Sequence, residues 1–353
     1  MKPQLVAGNQ PYLAEEIITD ILKLLPVKSL IRFQSVCKPW ENLIKSALFI
    51  TEHLHYSTHQ NSCLLLKYGN FSSQTLHLRL LDWEMQIHEI LHSRTFTRLI
   101  GSINGLLCLY PFVLWNPATR EVRQLPLPRK QHDPCRSTTG FGYSPVVNDY
   151  KIVRIYSNFE PDGYTLTGAE VYSLSTDSWK DVDLGVLQGV ELDLYLVNNV
   201  SANGSIFWRG LNSDAIVSYD IATEVFTLIP ISTIPLSTIL TVYDDKLALV
   251  SIKNKWIELW VLQKGIDSSS ETWSWIKKHT ERCPSDSLLW YTIWRNHLTF
   301  YGHYLPIHDL ALYLFKIPTN EMKVGLIPEV DGDQPHYVFN YAESLVPLRQ
   351  HPH

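Results

Sequence analysis

Hydrophobic positions change their spacing once along the chain, near residue 60. Over residues 13–25 they recur every three or four positions, which predicts an amphipathic helix that Pro26 ends. The same proline can begin a second helix, and a third is expected from Pro39. The pattern therefore predicts a small all-α module of three helices over residues 13–56, after a flexible N-terminus over residues 1–12.

These short helices carry much apolar surface for their size. A module of about 40 residues buries only a modest part of its own surface, and isolated helices of this length are marginal in water. The module must therefore pack on the rest of the chain or bind a partner, and the spacing alone does not choose between the two.

Residues 57–350 show short runs rich in Val, Ile, Leu, Trp and Tyr, separated by turn-forming residues, which is typical of antiparallel strands. One turn, an Asn or Asp followed three positions later by Thr, recurs and ends on a large apolar residue that we expect to face the core. These terminal residues are Val122, Trp179, Phe226, Trp273 and Met322.

A second turn precedes each copy of the first. Two of these turns are the Asn-Gly pairs Asn104-Gly105 and Asn203-Gly204, which fit type I′ hairpins. The other three are expected at Asn148-Asp149, Asp244-Asp245 and Asn296-His297.

Two hairpins per period give a four-stranded unit. A period of about 50 residues with four strands is typical of kelch-like propeller blades. Strand-like runs remain over residues 62–90 and 335–348, so the two ends of the domain are expected to share one blade and close the ring. We therefore predict an all-β, propeller-like domain of about six four-stranded blades. A large β-sandwich with irregular loops is the alternative.

Composition excludes several function classes. The formal charge of −5 is spread along the chain without a basic stripe, which argues against a nucleic-acid partner. We expect no secretory signal and no membrane span, and hence a cytoplasmic or nuclear protein. The five cysteines contain no Cys-x-x-Cys pair and are expected to be free thiols. His53 and His55 lack a third ligand at metal spacing, so no metal or cofactor is expected.

Residues 13–49 resemble the plant F-box family. The resemblance is carried by Leu25-Pro26-Val27-Lys28-Ser29-Leu30 followed by Val36-Cys37-Lys38-Pro39-Trp40. The downstream region is similar to the F-box-associated domain of the same family, through Ser102–Cys108, Leu114–Arg120, Gly140–Ser144 and Tyr341–Leu345. Relatives act in self-incompatibility, defence or hormone responses, and the motifs do not separate these pathways.

The resemblance implies a non-catalytic substrate receptor of a Skp–cullin–F-box ubiquitin ligase. Its partners are then a Skp-type adaptor, a cullin and a RING subunit reached through the adaptor, and a protein target of unknown identity. The positions that match adaptor-contacting residues of the family are Leu13, Pro26, Val27, Leu30, Val36, Trp40 and Leu43. Trp40 is the expected anchor of the interface, or else a purely internal core residue.

Target recognition is expected in the loops between strands, where binding residues concentrate. The basic residues Arg129, Lys130, His132 and Arg136 could form a patch for an acidic target, or a solvated loop. Two other functions stay open: a scaffold that acts without a ligase, and a propeller enzyme. No nucleophile elbow or phosphate loop supports the enzyme.

Overall fold

The computed structural model describes most of the chain. The residues that it describes are 13–68, 76–93, 98–130, 137–160, 163–188, 198–209, 214–231, 238–267, 270–282, 288–304, 309–317, 319, 321–326 and 337–348.

Four helices form the N-terminal module. They are α1 (Glu15–Lys23), α2 (Val27–Phe33), α3 (Lys38–Lys45) and α4 (Ala47–Gln60). Pro26 separates α1 from α2, and Pro39 lies in the first turn of α3, where its missing N–H costs no helical hydrogen bond. Ser46 caps α4, because its hydroxyl oxygen accepts the Phe49 N–H at 3.2 Å.

The fourth helix was not predicted. The sequence indicated three helices and a module that ends at residue 56, whereas α4 continues to Gln60. The module is held together by one apolar core, to which the four helices contribute Leu22, Val27, Leu30, Ile44 and Phe49. Phe49 is buried on α4, so the fourth helix completes this core rather than linking it to the sheets.

The described residues of the remaining chain form six sheets of four antiparallel strands. Blade 1 is β4 (Arg98–Ile103), β5 (Leu106–Tyr110), β6 (Val113–Asn116) and β7 (Glu121–Gln124). Blade 2 is β8 (Ser137–Ser144), β9 (Asp149–Glu160), β10 (Gly163–Ser173) and β11 (Ser178–Val182). Blade 3 is β12 (Asn198–Ala202), β13 (Ser205–Arg209), β14 (Ala215–Asp220) and β15 (Val225–Pro230).

Blade 4 is β16 (Thr238–Tyr243), β17 (Lys246–Lys253), β18 (Trp256–Asp267) and β19 (Ser270–Arg282). Blade 5 is β20 (Leu288–Trp294), β21 (His297–Tyr304), β22 (Asp309–Lys316) and β23 (Met322–Leu326). Blade 6 combines both ends of the domain: β24 (Tyr337–Tyr341) pairs with β1 (Cys63–Tyr68), which is followed by β2 (Leu76–Leu81) and β3 (Ile87–Ser93).

The first strand of each blade lies at the centre of the ring. The inner strands β4, β8, β12, β16, β20 and β24 contact one another in that order, and β24 returns to β4. The closing pair joins Cys63 to Tyr341 and Lys67 to Tyr337 in antiparallel register. The predicted six-bladed propeller and its composite blade are therefore confirmed, and the sandwich alternative is wrong.

The hairpin turns lie where they were predicted in three of the five places. In blade 2 Ser144 pairs with Asp149, so the loop spans residues 145–148 and Asp149 already belongs to β9. Asn104 and Gly105 have φ values of 52° and 75°, and Asn203 and Gly204 have 45° and 76°, as a type I′ turn requires. In blade 5 the turn lies at Arg295-Asn296, one residue before the predicted Asn296-His297. The recurring Asx turn is also formed: the Asn116 side-chain oxygen accepts the N–H groups of Ala118 and Thr119.

The residues that end the Asx turns do not all face the core. Trp179 and Phe226 are buried, and the Trp179 ring lies 5.2 Å from Phe112 of the preceding blade. Val122 and Met322, at the same place in blades 1 and 5, are more than half exposed, so the prediction is wrong for them. They lie on outermost strands, where a small or flexible side chain finds less cover than the large rings of Trp179 and Phe226.

Candidate adaptor-binding surface and the opposite propeller face

Helix α1 has two apolar faces. Ile18, Leu22 and Leu25 pack into the core of the module. Four other apolar residues at helical spacing point outward and are 47–55% exposed; they are Leu13, Ile17, Ile21 and Leu24. We call these four residues the α1 stripe. An apolar strip that the described part of the chain leaves uncovered is typical of a protein interaction site.

The other predicted adaptor contacts divide by exposure. Pro26 and Val36 are exposed, so they are accessible to a partner. Trp40 and Leu43 are half-buried and pack against the core of the module, with the Trp40 ring 5.6 Å from that of Phe33. Trp40 is thus neither wholly internal nor wholly free, and its role as an anchor stays a prediction.

Val27 and Leu30 occupy a different place from the rest of the predicted set. Both are fully buried, at 0% exposure, and they face Leu22, Ile44 and Phe49 inside the module. In this arrangement their side chains present no surface to a second protein. Their physical role here is to hold the helices together.

Sequence reasoning missed part of the exposed surface. Ile17, Ile21 and Leu24 lie within the predicted helix over residues 13–25 but were not among the candidate contacts, and Ile31 and Leu48 are also exposed. The signal was present in the spacing, since Leu13, Ile17 and Ile21 recur every four residues beside the inward series. When apolar residues cover a wider arc of a helix than one core can bury, they indicate that the helix makes two separate contacts.

Ion pairs link and stabilise the helices around this core. Lys23 of α1 lies 2.9 Å from Asp20 and 3.2 Å from Glu52 of α4. On α3 the Glu41 carboxylate forms ion pairs with both Lys38 and Lys45. Hydrogen bonds from these two ammonium groups lower the pKa of Glu41 to about 2. Such exposed pairs add little stability, but the Lys23–Glu52 pair joins α1, which carries the stripe, to α4.

One side of the helical module packs against the propeller. Leu345 and Ala118 pack against its apolar core, and the Val27 N–H donates to the Glu343 carboxylate at 2.9 Å. Ser62 follows α4, and its carbonyl oxygen accepts the Trp294 indole N–H at 2.9 Å and the Arg295 Nε–H at 3.0 Å. The module therefore packs on its own chain at one side while it leaves the α1 stripe open.

His53 of α4 is buried beneath this attachment, with 1% exposure. Its Nε2–H donates to the Leu25 carbonyl oxygen at 2.9 Å, while Nδ1 has no hydrogen-bond partner in the described part of the chain. Burial lowers the pKa of His53 from its ordinary value, against smaller opposing effects of the Leu25 bond and the Glu343 charge. The neutral imidazole is therefore the form that the fold accommodates.

A pH dependence of stability follows from this lowered pKa. The unfolded chain binds a proton at His53 near pH 6.5, but the folded chain does so only at lower pH, so stability should fall as the pH drops below about 6.5. Thermal unfolding of wild type and His53→Gln, compared between about pH 7 and pH 5, measures this loss. The exposed His59→Gln is the matched control. Equal pH slopes for wild type and His53→Gln would contradict the prediction.

Two of the four predicted target-binding residues, Arg129 and Lys130, lie at the other end of the propeller. Strands alternate in direction, so the turn at 117–120, which touches the helices, and the segment at 125–130 lie at opposite ends of blade 1. Arg129 and Lys130 are exposed there, and Lys130 pairs with Asp181 of β11 at 3.0 Å. His132 and Arg136 lie outside the described residues. We call this end of the ring the distal face.

Two features are absent from the described residues. These residues hold no group of three or more His, Cys, Asp or Glu side chains placed to bind a metal ion. Among the same residues no helix has the length and apolar character needed to cross a membrane.

A helical module with an open apolar stripe, joined to a closed six-bladed propeller, defines a two-part protein of the F-box type. Residues 12–51 match the F-box domain, and residues 63–348 match the F-box associated beta propeller domain. The chain belongs to this F-box-associated propeller family.

Its curated relatives are F-box proteins of Arabidopsis thaliana. F-box protein At3g08750 is 28% identical over 72% of this chain and 70% of its own length. F-box protein CPR1 is 30% identical over 61% of this chain and 59% of its own. The F-box/kelch-repeat protein At3g23880 is 26% identical over 61% of this chain and 64% of its own.

Solved structures with very different sequences are also similar. A chain of the nidogen/laminin complex matches 80% of this chain and 99% of its own, with a TM-score of 0.48 and 8% identity. TolB from Acinetobacter baumannii matches 84% of this chain and 73% of its own, with a TM-score of 0.47 and 10% identity. Neither likeness bears on function.

Proposed function

We propose that this protein is the substrate receptor of a Skp–cullin–F-box ubiquitin ligase. The observation that carries the proposal is the α1 stripe, an apolar surface left open on a module that matches the F-box domain. Burying apolar area of this kind is the main driving force for association. A Skp-type adaptor is the partner that an F-box implies, and it would cover the stripe.

The two ends of the molecule then carry two separate tasks. The helices bind the adaptor, which connects the chain to a cullin and its RING subunit. The distal face, where Arg129 and Lys130 lie, binds a protein target whose lysines receive ubiquitin. The chain itself takes no chemical step in this scheme. Its contribution is to bring the target to the enzyme and hold it there, which raises the effective concentration of the two reactants.

Transfer of ubiquitin is a proposed activity of the assembly and not of this chain alone. We place the assembly in the cytoplasm or nucleus, because the ligase subunits must be present in the same compartment as the target. The pairing of a docking module with a propeller favours a receptor over a propeller enzyme.

Affinity purification of the full chain from plant cells under proteasome inhibition tests the proposal. Adaptor and cullin should copurify with wild type and be lost with the double variant Ile17→Glu/Ile21→Glu, while propeller-bound proteins remain with both. Those retained proteins are the candidate targets, and they should be ubiquitinated by the reconstituted ligase. Copurification of propeller-bound proteins without adaptor or cullin from wild type would instead favour a scaffold that acts outside the ligase.

A further inference from the structure

The core of the helical module includes a residue from the far end of the chain. Leu345 is 7% exposed and lies in the same apolar cluster as Leu22, Leu30 and Phe49. Val27, at the start of α2, is separated from Glu343 by 316 positions in the sequence, yet the two are hydrogen-bonded. The F-box helices are therefore not a self-contained unit on a tether.

Glu343 supplies a bond that α2 cannot make for itself. The N-cap residue of α2 is Pro26, which provides no side-chain hydrogen bond to the first turn. The N–H of Val27 is one of the donors that a helix leaves unsatisfied at its start. The Glu343 carboxylate accepts it at 2.9 Å, and its negative charge also suits the positive end of the helix dipole.

Residues 344–348, which follow Glu343, are also hydrogen-bonded to blade 1. The Asn116 amide nitrogen donates to the carbonyl oxygens of Ser344 and Val346, both at 3.0 Å. Arg123 donates to the Leu348 carbonyl oxygen at 2.9 Å, and the Leu348 N–H donates to Glu121 at 3.0 Å. These contacts fix both ends of the segment to β6 and β7.

Side chains along residues 342–348 alternate between the two parts of the molecule. Glu343 and Leu345 contact the helices, whereas Leu348 packs in the core between blades 1 and 2, where Val346 contacts it. Gly105 allows this path, because it has a φ of 75° and any Cβ at its position would overlap Ser344 and Ala342. We call residues 342–348 the C-terminal joint.

We propose that the C-terminal joint sets the orientation of the F-box helices relative to the propeller, with Glu343 and Leu345 as its positioning residues. This inference rests on the proposed function, in which adaptor and target bind opposite ends of the same molecule. A fixed angle between those ends keeps the lysines of the target within a limited volume near the ligase. A loose joint would enlarge that volume and lower the effective concentration of the reactants.

Single-molecule energy transfer on the free full-length chain measures the orientation without any adaptor. Two click-reactive amino acids placed at the exposed Asn42 of α3 and Lys246 of blade 4 carry the dyes, which leaves the native cysteines untouched. Wild type should give one narrow peak of transfer efficiency. Glu343→Ala and Leu345→Ala should each broaden that peak. Leu187→Ala, which removes an equally buried leucine between blades 2 and 3, is the matched control and should leave it narrow.

Amide hydrogen exchange on the same variants separates positioning from simple stability. The inference predicts a broadened peak while α1–α4 keep their protection, at least in Glu343→Ala, which removes no apolar core contact. An unchanged peak in both joint variants overturns it, as does broadening that occurs only when the helices lose protection. Because no adaptor is present, either result leaves the proposed function to its own copurification test.

Discussion

Replacing Ile17 and Ile21 together with glutamate is expected to weaken adaptor binding by about 100-fold or more. Each side chain is about half exposed in the free chain. Burying the remaining apolar surface in the complex should contribute roughly 1 kcal/mol of binding free energy at each position. A glutamate there must also lose its hydration at the interface, which costs a further 1 kcal/mol or so per residue. The sum, about 3–4 kcal/mol, corresponds to two to three orders of magnitude in Kd.

Affinity of the purified full-length chain for a Skp-type adaptor, measured by calorimetry, gives this difference. Lys28→Glu is the matched control, since it adds negative charge at an exposed position of α2 without removing apolar surface. Both variants should unfold close to the wild-type temperature, because the substituted residues lie outside the buried core of the module. Wild-type affinity in the double variant would show that the adaptor, if it binds, uses another surface.

Leu30→Ala is the contrasting change, because it acts on folding first. Leu30 has no exposed surface, and truncating such a leucine typically lowers the free energy of unfolding by about 2–5 kcal/mol. Loss of binding in this variant would follow from loss of the module. Comparing the two variants separates the proposed contact role of the α1 stripe from the core role of Val27 and Leu30, which the family resemblance had placed among the adaptor contacts.

Helical spacing predicted the apolar residues of α1 but could not assign each one to the core or to the surface. That assignment depends on what packs against the module, and Leu345 joins its core from the segment that follows the last strand of the ring. Local periodicity carries no information on a contact between opposite ends of the chain. For the same reason the hydrogen bond from Val27 to Glu343 could not be predicted, although both residues lie in the motifs that carry the family resemblance.

The propeller was more predictable because its determinants are local. Type I′ turns need residues that tolerate positive φ, so Asn104-Gly105 and Asn203-Gly204 mark hairpins in the sequence itself. Closure followed from the strand-like runs left over at the two ends. Burial on the outermost strands was not predictable, since Trp179 and Val122 hold equivalent places and only the former reaches the neighbouring blade.

Polar groups in the interior of blade 2 were also invisible to sequence reasoning. Arg154 on β9 and Glu170 on β10 form an ion pair at 3.2 Å with side-chain exposures of 4% and 0%. On a strand that alternates inward and outward, charged residues would ordinarily be placed on the solvent side. Here the Arg154 guanidinium also lies 5.3 Å from the centre of the Phe112 ring and 4.9 Å from that of Tyr156, so the site combines ionic and aromatic contacts.

Removing one member of this pair is expected to cost about 3–5 kcal/mol of unfolding free energy. Glu170→Gln keeps the shape of the side chain but leaves the Arg154 charge buried without its counter-ion. Arg154→Met leaves the Glu170 carboxylate in the same position and should be about as damaging. The double variant Arg154→Met/Glu170→Leu removes both charges, so it should be clearly more stable than either single variant. Chemical denaturation of the full chain measures all three.

The exposed pair of Lys130 and Asp181 provides the control in the same blade. Its side chains are about half exposed, so Asp181→Asn should cost less than about 1 kcal/mol. A loss for Glu170→Gln no larger than for this control would mean that the buried charge is tolerated without its partner. Such a result would contradict the expected cost of desolvating Arg154.

The buried pair also bears on the distal face. Arg154 donates to the Lys130 carbonyl oxygen at 3.4 Å and to the Ser137 hydroxyl at 3.5 Å. These bonds hold the backbone at Lys130, and with it the exposed Arg129 and Lys130 side chains, against the rigid part of blade 2. Arg154→Met/Glu170→Leu should therefore speed amide exchange at Arg129 and Lys130 while the blade stays folded. If the distal face binds the target through this segment, the same variant weakens target binding and leaves adaptor affinity unchanged, since the α1 stripe lies at the other end of the molecule.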